Sequence, residues 1–89
     1  MASNIINNYS YNRVKMKLEK RPNGLYVWTS LMFEIPCNSL MEVFKQAKEV
    51  IQMPLATVEL ALLELEKNED DYAEFDEYNC FIKTGKYNN

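Results

Sequence analysis

From Arg13 the chain alternates strictly, with Val14, Met16 and Leu18 on one side and Arg13, Lys15, Lys17 and Glu19 on the other. A two-residue period of this kind predicts a strand with one buried face. Arg21-Pro22-Asn23-Gly24 follows, with proline suited to the second place of a turn and glycine to the place that needs positive φ. The next run, LYVWTSLMFEI, is rich in aromatic and β-branched residues and predicts a returning strand. A register that sets Leu18 beside Val27 keeps the apolar sets together and leaves the lysines beside Tyr26 and Trp28.

The period then changes. In NSLMEVFKQAKEVIQM, Leu40, Val43, Phe44, Ala47, Val50 and Ile51 recur at helical spacing as one stripe. Ser39 and Glu42 form a capping box at its start, and Lys45 and Glu49 make an i, i+4 pair on its outer side. Pro54 ends this helix. In LATVELALLELEK, Leu55, Val58, Leu62 and Leu65 fit a helical face, whereas Val58, Leu60 and Leu62 alternate as a strand would; propensity favours helix. A last strand is expected around Tyr78, Cys80 and Ile82. The expected fold is α+β: an N-terminal β-hairpin packed on a capped amphipathic helix, followed by a second helix (or strand) and a C-terminal strand. Residues 1–11, Asn- and Tyr-rich and without period, read as an arm, 12–85 as one domain and 86–89 as a tail.

Composition narrows the chemistry. With 89 residues, 47% of them hydrophobic, the chain can build one core. It has no histidine, which removes imidazole bases, Ser-His and Cys-His nucleophiles and HExxH zinc sites. Its two glycines can build neither a P-loop nor a dinucleotide fingerprint. Cys37 and Cys80 lack CxxC spacing and read as free, half-buried thiols of a reducing cytoplasm. The N-terminal MASNIINNYSYN lacks the basic and apolar regions of a secretory signal, and no apolar run approaches a membrane span. A cytoplasmic, non-catalytic protein without metal or cofactor is the expectation.

The net charge of −3 conceals a separation. Residues 13–21 carry five cations against Glu19, whereas residues 59–77 carry nine carboxylates against Lys67. The stretch NEDDYAEFDEYN sets three rings among six acids. It is no EF-hand loop: counted from Asn68, Ala73 stands where the glycine is required. Aromatic anchors surrounded by charge are the composition of a protein-binding patch or a nucleic-acid mimic. The residues expected to engage a basic partner are Glu66, Glu69, Asp70, Asp71, Tyr72, Glu74, Phe75, Asp76, Glu77 and Tyr78. The alternative is a single-strand nucleic-acid platform on the hairpin, from Arg13, Lys15, Lys17, Lys20, Arg21, Tyr26 and Trp28. Homo-oligomers, through the apolar edge of the second strand, are a third option.

Two local resemblances bear on this. QAKEVIQMPLATVELALLELEKN resembles the helix-turn-helix core of winged-helix domains, with Ala47, Thr57, Val58, Leu62, Leu65 and Glu66 in the matching places and residues 68–83 as the implied wing. It departs from them in its glycine-free turn, and in a reading helix that offers Glu59 and Glu64 where DNA phosphates would repel them. FEIPCNSLMEVFKQAKEV resembles, in layout, small phage-encoded ββαβ inhibitors of host enzymes, and the Asn, Lys, Ile and Tyr content suits A+T-rich genomes. The expectation is a small viral or phage-type modulator that binds a basic host protein through its acidic-aromatic face.

Overall fold

The computed structural model describes residues 14–87, so the expected arm, Arg13 and the last two residues of the expected tail lie outside the described residues. Three strands, β1 (Met16–Lys20), β2 (Tyr26–Thr29) and β3 (Glu34–Cys37), form an antiparallel meander. Two helices follow, α1 (Leu40–Gln46), which runs into a π-helical turn at Ala47–Ile51, and α2 (Leu55–Asn68). The chain then returns as β4 (Tyr72–Phe75) on the free side of β1, and β5 (Phe81–Gly85) closes the sheet in the order β3-β2-β1-β4-β5. This is an α+β fold with an N-terminal hairpin, a capped helix and C-terminal strands. The α1 helix packs against β2 and β3, and α2 against β4 and β5, so the core lies between the sheet and one layer of helices.

The first turn forms as its residues dictate. Gly24 takes φ 87°, its amide donates to the Arg21 carbonyl at 3.0 Å, and the Arg21 amide donates to the Leu25 carbonyl at 2.7 Å. The register differs from the expected one by a residue: Leu18 pairs with Trp28, and Val27 with Glu19. That slip exchanges the faces of β2. Trp28 enters the core beside Leu18, and Val27 stands on the opposite face of the sheet. The indole N–H donates to the Val43 carbonyl at 3.2 Å, so its polar edge is satisfied where no water reaches it. Burying a side chain of this size contributes on the order of 5 kcal/mol, enough to outweigh the alternative pairing.

LYVWTSLMFEI is two strands, because Ser30 turns the chain: its hydroxyl accepts from the Met32 amide at 3.1 Å and its amide donates to the Phe33 carbonyl at 3.0 Å. The first half of that run, β2, is therefore interior to the sheet and has no free edge to recruit another copy, whereas the second half, β3, lies at the sheet's edge. Of the two edge strands, β3 carries Pro36 and β5 carries Lys83 and pairs through a bulge, each of which discourages edge-to-edge growth.

The α1 cap is as expected on one side, with the Ser39 hydroxyl accepting from the Glu42 amide at 3.3 Å, while the Glu42 carboxylate reaches the Asn38 amide at 2.7 Å. The π turn inserts a residue into the helical repeat, which shifts the stripe. Val43 and Ala47 are buried, Phe44 and Ile51 are half-buried, and Val50 is turned out to solvent. Gln52, at φ 62°, occupies the left-handed position that a glycine would usually take between two helices. Leu55–Asn68 is helical throughout, with Val58, Ala61 and Leu65 buried, while Leu55, in its first turn, is exposed.

The thiols are unlike each other: Cys37 is in the core and Cys80 is exposed, so neither is half-buried. Burial, and secondarily the nearby Glu42, push the Cys37 thiol pKa up, which further lowers its thiolate population. A maleimide titration of the native protein should label Cys80 alone, with Cys37 reacting only after denaturation. Equal native rates would contradict this packing.

Candidate functional site

Four carboxylates gather where α2 hands the chain to β4. The helix ends in a Schellman turn: the Asp70 amide donates to Leu65 O at 3.1 Å and the Glu69 amide to Glu66 O at 3.2 Å. Glu69 sits at the left-handed residue of that motif, φ 53°, where glycine is preferred. Opposite lies the β1–β2 turn. Together they frame an open hollow of about 770 Å³, lined by Glu66, Glu69, Asp70 and Asp71 from one side and Glu19, Lys20 and Arg21 from the other. Charges far apart in sequence are thus brought to one end of the molecule.

Several of those charges are already engaged. Asp70 accepts from the Thr84 hydroxyl at 2.5 Å and lies 3.4 Å from Lys86 Nζ, which also donates to the Glu69 carbonyl at 2.5 Å. Asp71 accepts from the Tyr87 amide at 3.0 Å. Lys86 and Tyr87, expected in a tail, are therefore docked. Glu19 accepts from Arg21 at 2.6 Å and from the Tyr87 hydroxyl. The carboxylates of Glu66 and Glu69 are exposed and have no partner among the described residues.

The rest of the expected acidic-aromatic face is divided. Tyr72, Glu74 and Lys17 project from the sheet face opposite the helices. The Tyr72 ring lies over Gly85, its cross-strand neighbour, where an added Cβ would come within 2.6 Å of the phenol oxygen. It also packs on Tyr87 with ring centres 4.7 Å apart, and Lys17 Nζ sits 4.5 Å above its centre. Phe75 points the other way, fully buried 5.6 Å from the Trp28 ring, and so offers nothing to a partner. Asp76 accepts from the Tyr78 and Cys80 amides, both at 2.9 Å, and shapes the β4–β5 turn; Glu77 and Tyr78 are exposed there. That turn and the hollow stand at opposite ends of β4, separated by four strand residues, or roughly 13 Å.

The hairpin platform loses its rings and some of its cations. Trp28 is fully buried, and Tyr26 packs against the core from the same face of β2. Lys15 and Lys20 are exposed, Arg21 is paired with Glu19 and Lys17 with the tyrosines. A stacking surface for bases is absent from these positions among the described residues.

Sequence reading passed over another exposed feature. Leu60 and Leu63 stand on the solvent side of α2, about half a turn round from Val58 and Leu65. The strand-like alternation through Leu60 was the signal that this helix is apolar on two sides.

No family model, curated protein or solved structure matches the chain. The implied wing does form a hairpin, over 72–85, but β4 is built into the main sheet beside β1. The element order βββααββ likewise differs from a ββαβ layout. No helix among the described residues is long and apolar enough to cross a membrane.

Burial alone would raise the Glu19 pKa, but the bonds from Tyr87 and Arg21, with Lys17 nearby, outweigh it and leave the carboxyl below its ordinary value of 4.5. Burial and then the Glu19 carboxylate raise the Tyr87 phenol. A depressed folded-state pKa stabilises the fold above the unfolded value, and that contribution is lost as pH falls from about 4.5 through the folded value. Tyr87→Phe should move the Glu19 carboxyl titration upward in an NMR pH series and shrink the acid-side loss of stability. An unmoved titration would show that the phenol does not hold Glu19.

Proposed function

We propose that this protein is a non-catalytic protein-interaction module that engages a basic partner through the acidic end of the molecule. Glu66 and Glu69 carry the reading. They are exposed, unpaired and placed at the negative end of the α2 dipole, where two carboxylates cost local stability. Glu69 adds the cost of a left-handed backbone that glycine would adopt without strain. Two departures from local preference at one exposed place are what a retained binding function leaves behind. Asp70, Asp71 and the lysine and arginine of the facing turn hold the frame, and the free carboxylates supply attraction and fast association. The absence of histidine and the open, solvent-filled shape of the hollow favour binding over chemistry. The A+T-type composition suits a viral or phage modulator acting on a host protein. Glu77 and Tyr78, at the far turn, fall outside this contact.

Replacing Glu69 by Gly, and Glu66 by Gln, should raise stability by about 0.5–1 kcal/mol, chiefly through the relieved left-handed residue. The same pair should abolish capture of a basic partner from nuclease-treated host lysate. A gain of stability with undiminished capture would sink the proposal. Capture that disappears with nuclease, and depends on Lys15 and Lys20, would transfer the activity to nucleic acid.

A further inference from the structure

The α2 helix carries two exposed leucines on the side away from the sheet. Leu63 is 63% exposed and Leu60 48%, at i and i+3 on the outward ridge of α2. Glu59 and Glu66 border that ridge on one flank, seven residues or two turns apart, and Glu64 borders it on the other. Glu66 also lines the acidic hollow, so the ridge and the hollow form one continuous surface. From this arrangement we infer that the outward face of α2 is the docking surface for a basic amphipathic helix of the partner protein. The inference rests on the acidic-end reading and specifies the partner's chemistry.

Charge selects the occupant. A second copy packed α2 to α2 in parallel would bring Glu59, Glu64 and Glu66 against their own counterparts, and an antiparallel copy would offer only Lys67, at the end of the same ridge, to offset three carboxylates. Residues 1–12 of this chain contain no charged side chain and could not neutralise them. A helix fits better than an extended strand, because leucines three apart form a ridge that seats between the side chains of another helix. Cations spaced seven residues apart on that helix would repeat every 10.5 Å or so, the interval between Glu59 and Glu66. Apolar contact then supplies the affinity, and the flanking pairs fix orientation and favour a cationic partner.

The probe is a synthetic 18-residue helix with leucines along one face and lysines bordering it, titrated into the full chain by fluorescence anisotropy. A control peptide has the same leucines bordered by glutamates. The lysine peptide should bind and the glutamate peptide should not. Leu60→Ser with Leu63→Ser should weaken binding by about 10- to 30-fold, the range of a lost interface anchor. Glu59→Gln with Glu66→Gln should weaken it by several-fold and flatten its salt dependence. Circular dichroism would verify that the variants fold; should the serine pair not fold, Leu60→Ala with Leu63→Ala takes its place, since the glutamine pair alone does not separate the ridge from the acidic end. Binding that needs the glutamates but not the leucines would overturn this inference while leaving the acidic-end reading intact. Binding that needs neither, or no binding of the lysine peptide, would overturn this inference; the acidic-end reading falls only if the Glu69→Gly, Glu66→Gln pair leaves capture undiminished. Equal binding of the two peptides, or a concentration-dependent dimer abolished by the serine pair, would overturn the cationic occupant.

Discussion

The structure turns on Trp28. Its ring lies in the core between Leu18 on β1, Phe75 on β4 and the α1 segment, and its N–H is bonded to the Val43 carbonyl. It therefore ties the central strand, the returning strand and the first helix to one position. A one-residue change in the β1–β2 pairing would expel it from the core and put Val27 in its place. The volume lost would leave α1 without its anchor and Phe75 with Phe81 but without its nearer ring neighbour. The bulk of one aromatic side chain thus fixes the register, and the register decides which charges reach which face.

The consequences extend to the acidic stretch. Because β4 joins the sheet beside β1, alternate residues of Tyr72–Phe75 face opposite ways, and an apparently continuous acidic-aromatic segment is sorted by the pleat. Phe75 and Ala73 enter the core, whereas Tyr72 and Glu74 stay outside. Asp70, Asp71 and Asp76 are spent on turns and on the docked C-terminal residues. What remains available is smaller and better defined: Glu66 and Glu69 at the end of α2, continuous with the exposed leucines of that helix. Charge separation along the chain is largely undone in space, because the basic turn of the first hairpin faces the acidic corner.

Much of this was legible beforehand. The alternation from Val14 to Leu18, the Pro22-Gly24 turn and the Ser39 cap each rest on local chemistry, and each forms; the helical stripe forms from Val43 to Ala47, while Leu40 before it and Val50, past the start of the π turn, are exposed. The register of β2 was not legible, since Val27 and Trp28 are adjacent and both apolar, and only the volume available under α1 separates them. The return of residues 72–75 as a strand was hidden by its acids, which lie on a solvated face and in the flanking turns. Leu60 and Leu63 were visible but misleading. A helix with apolar residues on two sides has no clean period, and the blurred pattern reflected an outward surface as well as a core.

The most direct test of this account uses the single tryptophan of the chain. Emission from Trp28, measured in the native protein with added acrylamide and again after unfolding, reports whether the ring is enclosed. The account predicts a blue-shifted native spectrum nearly insensitive to the quencher, changing to a red-shifted and readily quenched one on denaturation. A native spectrum that is already red-shifted and quenched would place Trp28 on the surface, and with it the register, the buried Phe75 and the assignment of the acidic corner would fall.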